Sequence, residues 1–157
     1  MIALDPKSEK YNWKRLNHLQ LGRYAEYYAK MEFTLYGYDV YTTEVDDQGI
    51  DFVIRKSELS YYDIQVKSIR GLNYIFFPKD KFILRKNLIA TIVVFCEREL
   101  PQLFLIPSLT WEDPDELFVS RDYAGKKSKP EYGINLSKRN FPLLKEYQFD
   151  NVVPSLD

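Results

Sequence analysis

The sequence predicts an α/β fold: a single domain with a mixed central sheet flanked by helices. Three stretches carry that expectation. A Pro-free run of helix formers spans Asn17 to Tyr36, an alternating hairpin spans Ile50 to Ser68, and Leu88 to Cys96 (LIATIVVFC) is continuously apolar and β-branched. A strand that is apolar on both faces is one covered on both sides, which places helices or other layers over the sheet. At 157 residues the chain has the length of one ordinary domain, and no repeat or linker marks a second. The expected organisation is one domain over 1–157, with a core over about 17–107 and a C-terminal extension over 108–157.

Residues Met1 to Lys14 read as a polar arm with a helical turn near Trp13. Asn17 is placed as the N-cap of the first helix and Gly37 as its C-terminal stop. Gly22, Ala25 and Ala29 recur at helical spacing, and a stripe of small side chains lets a helix lie close to a sheet. Glu26 sits one turn beyond Gly22, beside that stripe. Tyr38 to Glu44 has the Val, Tyr and Thr content of a strand, followed by the turn VDDQG.

The hairpin is the centre of the reading. Side chains alternate along a strand, so Ile50, Phe52 and Ile54 share one face, and Asp51, Val53 and Arg55 the other. On the second strand Ile64 and Val66 oppose Asp63, Gln65 and Lys67 in the same way. Folding about Glu58 sets Asp51 directly across from Gln65, with Lys67 one step further on that face. A carboxylate, an amide oxygen and an ammonium are thereby gathered on one patch of sheet. Asp63 shares that face and is the substitute ligand if the register slips.

Arg70-Gly71 marks a break, and Leu72 to Phe77 reads as a short aromatic strand. Pro78 to Asn87 is predicted to be a short helix, and Gln102 to Ile106 a strand. Ser108 is predicted to cap a helical turn carrying Trp111. Asp122 to Tyr132, with its Gly, Lys, Ser and Pro, reads as a basic loop, and Ser137 as the cap of a last helix through Tyr147, interrupted by Pro142.

A formal net charge of −1 excludes a global positive field of the kind that drives indiscriminate DNA binding. The charges are segregated, however. Lys67, Arg70, Lys79, Lys81, Arg85 and Lys86 face the single acid Asp80 within their stretch, and Arg121 to Arg139 is a second basic run. With 13 Tyr and 10 Phe the chain is rich in rings, which either wall a core and an interface or stack on nucleic-acid bases. Cys96 has no second cysteine to pair with and reads as a small buried hydrophobe in a reduced compartment. The N-terminal residues lack a signal-peptide stretch and the longest apolar run is about half a membrane span, so a soluble cytoplasmic protein is expected.

Glu26 on a helix, then Gly49-Ile50-Asp51, then Gln65-Val66-Lys67 on the next strand resembles the core of the PD-(D/E)XK nuclease superfamily, with its restriction-endonuclease-like fold. The resemblance covers roughly Leu19 to Cys96 and is nearest the Holliday junction resolvase and restriction-type branches, where a Glu on the first helix completes the site. It implies a Mg²⁺ (or Mn²⁺) site with Asp51 as central ligand, Glu26 supporting the metal directly or through water, Gln65 where the family usually has Asp or Glu, and Lys67 as the motif's lysine. The amide brings no negative charge, so metal affinity should fall below that of a three-carboxylate site.

The implied activity is endonucleolytic hydrolysis of DNA phosphodiester bonds in repair, recombination or defence. Arg70, Lys79, Lys81, Arg85, Lys86, Lys126, Lys127 and Lys129 would contact phosphates, and a homodimer is expected by analogy. Two alternatives stay open: a catalytically weak or inactive module that binds DNA or a protein partner in a defence or repair system, and an α/β interaction protein in which Lys67 merely neutralises both acids. His18 has no second His to pair with and is given no metal role.

Overall fold

The computed structural model describes residues 9–45 and 48–156. The arm before residue 9, and the middle of the predicted VDDQG turn, lie outside them. Asn17 starts the first helix as predicted. Its side chain accepts the Gln20 amide while the Gln20 side chain accepts the Asn17 amide, both at 2.9 Å. This reciprocal cap opens α1 (His18–Leu35), and Gly37, at φ +88°, ends it in a conformation that favours glycine. The buried residues of α1 are Leu21, Ala25, Ala29 and Phe33.

The strands, numbered along the chain, form two sheets. β1 (Asp39–Thr42), β2 (Phe52–Ser57), β3 (Ser60–Arg70), β5 (Leu88–Phe95) and β6 (Gln102–Pro107) make the central sheet in the order β1-β2-β3-β5-β6. β3 and β5 are parallel and the other neighbours antiparallel, so the sheet is mixed. β4 (Tyr74–Pro78) pairs with β8 (Glu131–Asn135), which also pairs with β7 (Phe118–Arg121), in a separate three-stranded sheet.

All eight residues of β5 are buried, as its continuous apolar run requires. Its two faces belong to two cores. Ile89, Val93 and Phe95 pack with Phe52, Ile54, Ile64 and the α1 face, joined by Phe149 of α2 (Phe149–Val152). Ala90, Ile92 and Val94 pack with Phe77, Phe82, Trp111, Phe118 and Ile134, so the second sheet and the flanking 3-10 segments cover the other side. Helical segments thus flank the mixed sheet on both faces, in keeping with the predicted class. The second sheet was not foreseen.

Four expectations change. Pro78 to Asn87 is not a helix: only Lys79–Lys81 form a 3-10 turn, and the chain beyond is irregular. Phe82 is drawn into the core 4.5 Å from Phe77 and 5.4 Å from Trp111, ring centre to ring centre. Ser108 supplies the reason for the rest. Its hydroxyl accepts the Arg85 amide (3.0 Å) and donates to the Arg85 carbonyl (2.6 Å), satisfying backbone groups that a helix would otherwise pair. Ser108 is therefore not the cap of the 3-10 segment Ser108–Glu112 that follows it. Finally, the predicted 122–132 loop is shortened by β8, and Ser137 accepts the Asn140 amide (3.1 Å) ahead of a 3-10 segment, Phe141–Tyr147, rather than an α-helix.

Candidate functional site

The hairpin folds in the predicted register. Phe52 pairs with Ile64 and Val53 with Asp63, a pattern that sets Asp51, just ahead of β2, opposite Gln65. The Asp51 amide donates to the Ile64 carbonyl at 2.9 Å. Its carboxylate Oδ2 accepts the Val66 amide at 2.7 Å. The carboxylate therefore stands where the next ladder bond would form, at the point where β2 begins. Beyond it, no strand pairs with residues 66–70 on this edge among the described residues. Because the Ile64 carbonyl and the Val66 amide face this edge, backbone alternation turns the Val66 carbonyl to it as well.

Gln65 is 7% exposed, and among the described residues its Oε1 has no hydrogen-bond partner. A buried amide oxygen left in that state costs about 1–3 kcal/mol. Gly49, at φ +78°, passes beside it: a Cβ there would lie 3.6 Å from Gln65 Oε1 and 2.7 Å from the Lys81 carbonyl. Glycine is therefore required both by conformation and by the close approach of the Lys79–Lys81 turn. Lys67 follows Gln65 on the same face, its Nζ 5.6 Å from the centre of the Phe77 ring. Asp63, the substitute ligand, is taken up by Arg85 at 2.6 Å.

Glu26 occupies different ground. Gly22, one turn before it, lies by the Ser68 hydroxyl, and Lys30, one turn after, has its Nζ 5.6 Å from the Phe52 ring centre. Glu26 is thus on the α1 side of the sheet, at a level between Ser68 and Phe52, where β2 begins. Its carboxylate pairs with Arg23 at 3.2 Å. Gln65 and Lys67 are on the opposite side. The two groups can meet only around the open edge at Asp51, a constraint that alternation within the hairpin did not reveal.

The oxygens present suit a hard divalent cation. The orphaned Gln65 Oε1, the Asp51 carboxylate and the Val66 carbonyl edge are all oxygen donors of the kind Mg²⁺ takes. Charge is sparse: among the described residues, no group of three or more His, Cys, Asp or Glu gathers.

The basic side chains divide. Lys79 is held by Asp122 (2.6 Å) and Ser120 (2.8 Å), Lys129 by Asp80 (3.6 Å) and Arg85 by Asp63, while the Arg70 guanidinium donates to the Leu16 carbonyl. Lys81 lies in the turn beside Gly49, Lys86 lines a hollow with Tyr61 and Asn87, and Lys126 and Lys127 are exposed in a turn. His18 is exposed at the start of α1. No described helix is long and apolar enough to cross a membrane.

No protein-family model matches the chain, and no curated protein matches it by sequence. Among solved structures, it is similar to Hjc, a Holliday junction resolvase from Archaeoglobus fulgidus. The match covers 78% of this chain and 88% of that one, at 14% identity and a TM-score of 0.49.

Proposed function

We propose that this protein is a metal-dependent nuclease that hydrolyses DNA phosphodiester bonds. The observation that carries the proposal is the buried, unpartnered Gln65 Oε1, set opposite a carboxylate whose direction is fixed by the Val66 amide and one step from the Lys67 ammonium. Buried oxygens are normally paired, and a bound cation is a partner that would satisfy this one.

Asp51 and Gln65 would hold Mg²⁺ (or Mn²⁺) from the sheet, with the Val66 carbonyl at the edge and Glu26 supporting from the α1 side. When bound, such an ion neutralises phosphate charge and lowers the pKa of water. Asp51 contributes the negative charge, and the Val66 amide holds its carboxylate in one orientation. Lys67 would place a cation where charge develops on the phosphoryl oxygens, its Nζ 5.6 Å from the Phe77 ring centre. Lys81, whose backbone passes Gly49, would offer a second cation to the incoming phosphate.

The test is incubation of purified protein with supercoiled, single-stranded and branched DNA in Mg²⁺ or Mn²⁺, beside Lys67→Ala and Asp51→Asn. Cutting by the native chain that both substitutions abolish is expected. Cutting that survives both rejects the proposal.

The neutral amide at Gln65 favours a second reading, a module of the same fold that binds DNA without cutting it. Salt-sensitive binding with no cleavage in either metal supports that reading instead.

A further inference from the structure

The second sheet covers β3, β5 and β6, but among the described residues the face of β1, β2 and the first residues of β3 stays open. Tyr41, Val53, Arg55 and Tyr61 line a cavity of about 350 Å³ there. The pairing explains why they meet: Tyr41 is opposite Val53, and Arg55 is opposite Tyr61. Tyr41 and Tyr61 are 53% and 48% exposed, one on each side of the β2 residues that floor the gap. The Arg55 guanidinium is pinned at the rim, donating to the carbonyls of Ser57 (3.2 Å) and Glu58 (2.7 Å). On the other flank of Tyr61, a second hollow is lined by Leu59, Lys86 and Asn87.

This cavity lies on the same face of the same sheet as Gln65 and Lys67. Tyr61 precedes Gln65 by four residues, about 13 Å along a strand rising about 3.3 Å per residue. We infer that Tyr41 and Tyr61 form a stacking platform for unpaired nucleobases, on a strand whose backbone reaches the Asp51–Gln65–Lys67 site. The inference rests on the nuclease reading and narrows its substrate to DNA that is single-stranded or locally opened.

The chemistry selects this occupant. Two rings with an apolar floor suit flat apolar faces, and the Arg55 and Lys86 cations beside them suit the phosphates that link such faces. A base inside a duplex has both faces covered by its neighbours, so only an unpaired one can reach the rings.

The experiment measures the affinity of the full chain, without divalent metal, for three probes: an unstructured deoxyoligonucleotide, the same strand in a duplex, and the same strand with abasic positions. Tyr41→Ala and Tyr61→Ala should each weaken single-strand binding roughly 5- to 100-fold, while duplex binding stays unchanged. Tyr41→Phe and Tyr61→Phe should bind like the native chain, and the abasic strand should be indifferent to all four substitutions. Circular dichroism of each variant establishes that it is folded. Unchanged single-strand affinity in folded Ala variants overturns the inference. So does equal loss on the abasic strand, or ring-dependent self-association without oligonucleotide binding. If the Tyr variants bind and cut normally while Lys67→Ala does not cut, the platform fails and the nuclease reading stands. If binding depends on the rings but nothing is cut, the platform stands and the nuclease reading fails.

Discussion

The carboxylate of Asp51 accepts the backbone amide of Val66 at 2.7 Å, so one side chain closes the ladder between two strands at the residue set opposite Gln65. Charge and hydrogen bonding at this position can be separated. Asp51→Asn keeps an acceptor for Val66 but loses the negative charge. The variant should fold with a melting temperature close to the native value and lose roughly 100-fold or more of its cleavage rate, the order seen when one electrostatic contributor is removed from a preorganised site. Plasmid nicking beside thermal melts checks this. Cleavage within a factor of about three of native rejects Asp51 as the central ligand.

Gln65→Glu tests the missing charge directly. A second carboxylate about 5 Å from Asp51 would repel it by roughly 3 kcal/mol at an effective dielectric near 20. The variant should therefore melt below the native protein in chelator, and Mg²⁺ should raise its melting temperature by more than it raises the native one. Half-maximal stabilisation should need about tenfold less metal, one added unit charge being worth over 1 kcal/mol here. A variant whose melting is blind to Mg²⁺ places no cation beside residue 65.

Much of this site was legible because its signals are local. The face shared by Asp51, Gln65 and Lys67 follows from strand alternation, and the start of α1 from Asn17 and Gln20. The turn itself pairs Ser57 with Ser60, and a register shift between Arg55 and Ser57, which no local signal announced, sets Asp51 opposite Gln65. What was not legible depends on partners far along the chain. β4 finds β8 across more than fifty residues, as in the Tyr74 phenol donating to Glu131, and no periodicity within 122–132 announces that pairing. The 78–87 stretch has helix-compatible residues, but the buried Phe82 and the Ser108 hydroxyl on Arg85 outweigh local propensity. Glu26 was placed correctly beside the small-residue stripe. That α1 packs on the sheet face away from Lys67 depends on which side the second sheet covers, and this emerges only in three dimensions.

Gly49 should resist substitution more than an ordinary loop glycine. Gly49→Ala puts a Cβ 2.7 Å from the Lys81 carbonyl, and alanine at φ +78° costs roughly 1–3 kcal/mol on its own. Urea unfolding should show at least that loss, and displacement of the Lys79–Lys81 turn should weaken DNA binding as well. A midpoint shift equivalent to less than about 0.5 kcal/mol would mean that the loop and the turn separate freely.

The far side of α1 offers a pH-dependent measurement that does not involve the site. Glu32 lines a cleft of about 230 Å³ with Tyr28, Gln102, Gln148 and Asp150, beside the edge strand β6. Burial, and then the neighbouring Asp150 carboxylate, raise the Glu32 pKa above its ordinary 4.5. A carboxyl with a raised folded value binds its proton more tightly in the folded state, so the folded state loses stability as pH rises from the unfolded value through the folded one. The deficit grows as the pH rises above 4.5 and is absent in acid below it. Glu32→Gln removes the ionisation, so it should melt above the native protein at pH 7 and converge with it as the pH falls through that window. Tyr28, pushed up to about 12 by burial first, stays neutral across the range and does not confuse the comparison. A difference between the two proteins that is flat with pH would show that Glu32 is as well solvated in the fold as in the unfolded chain.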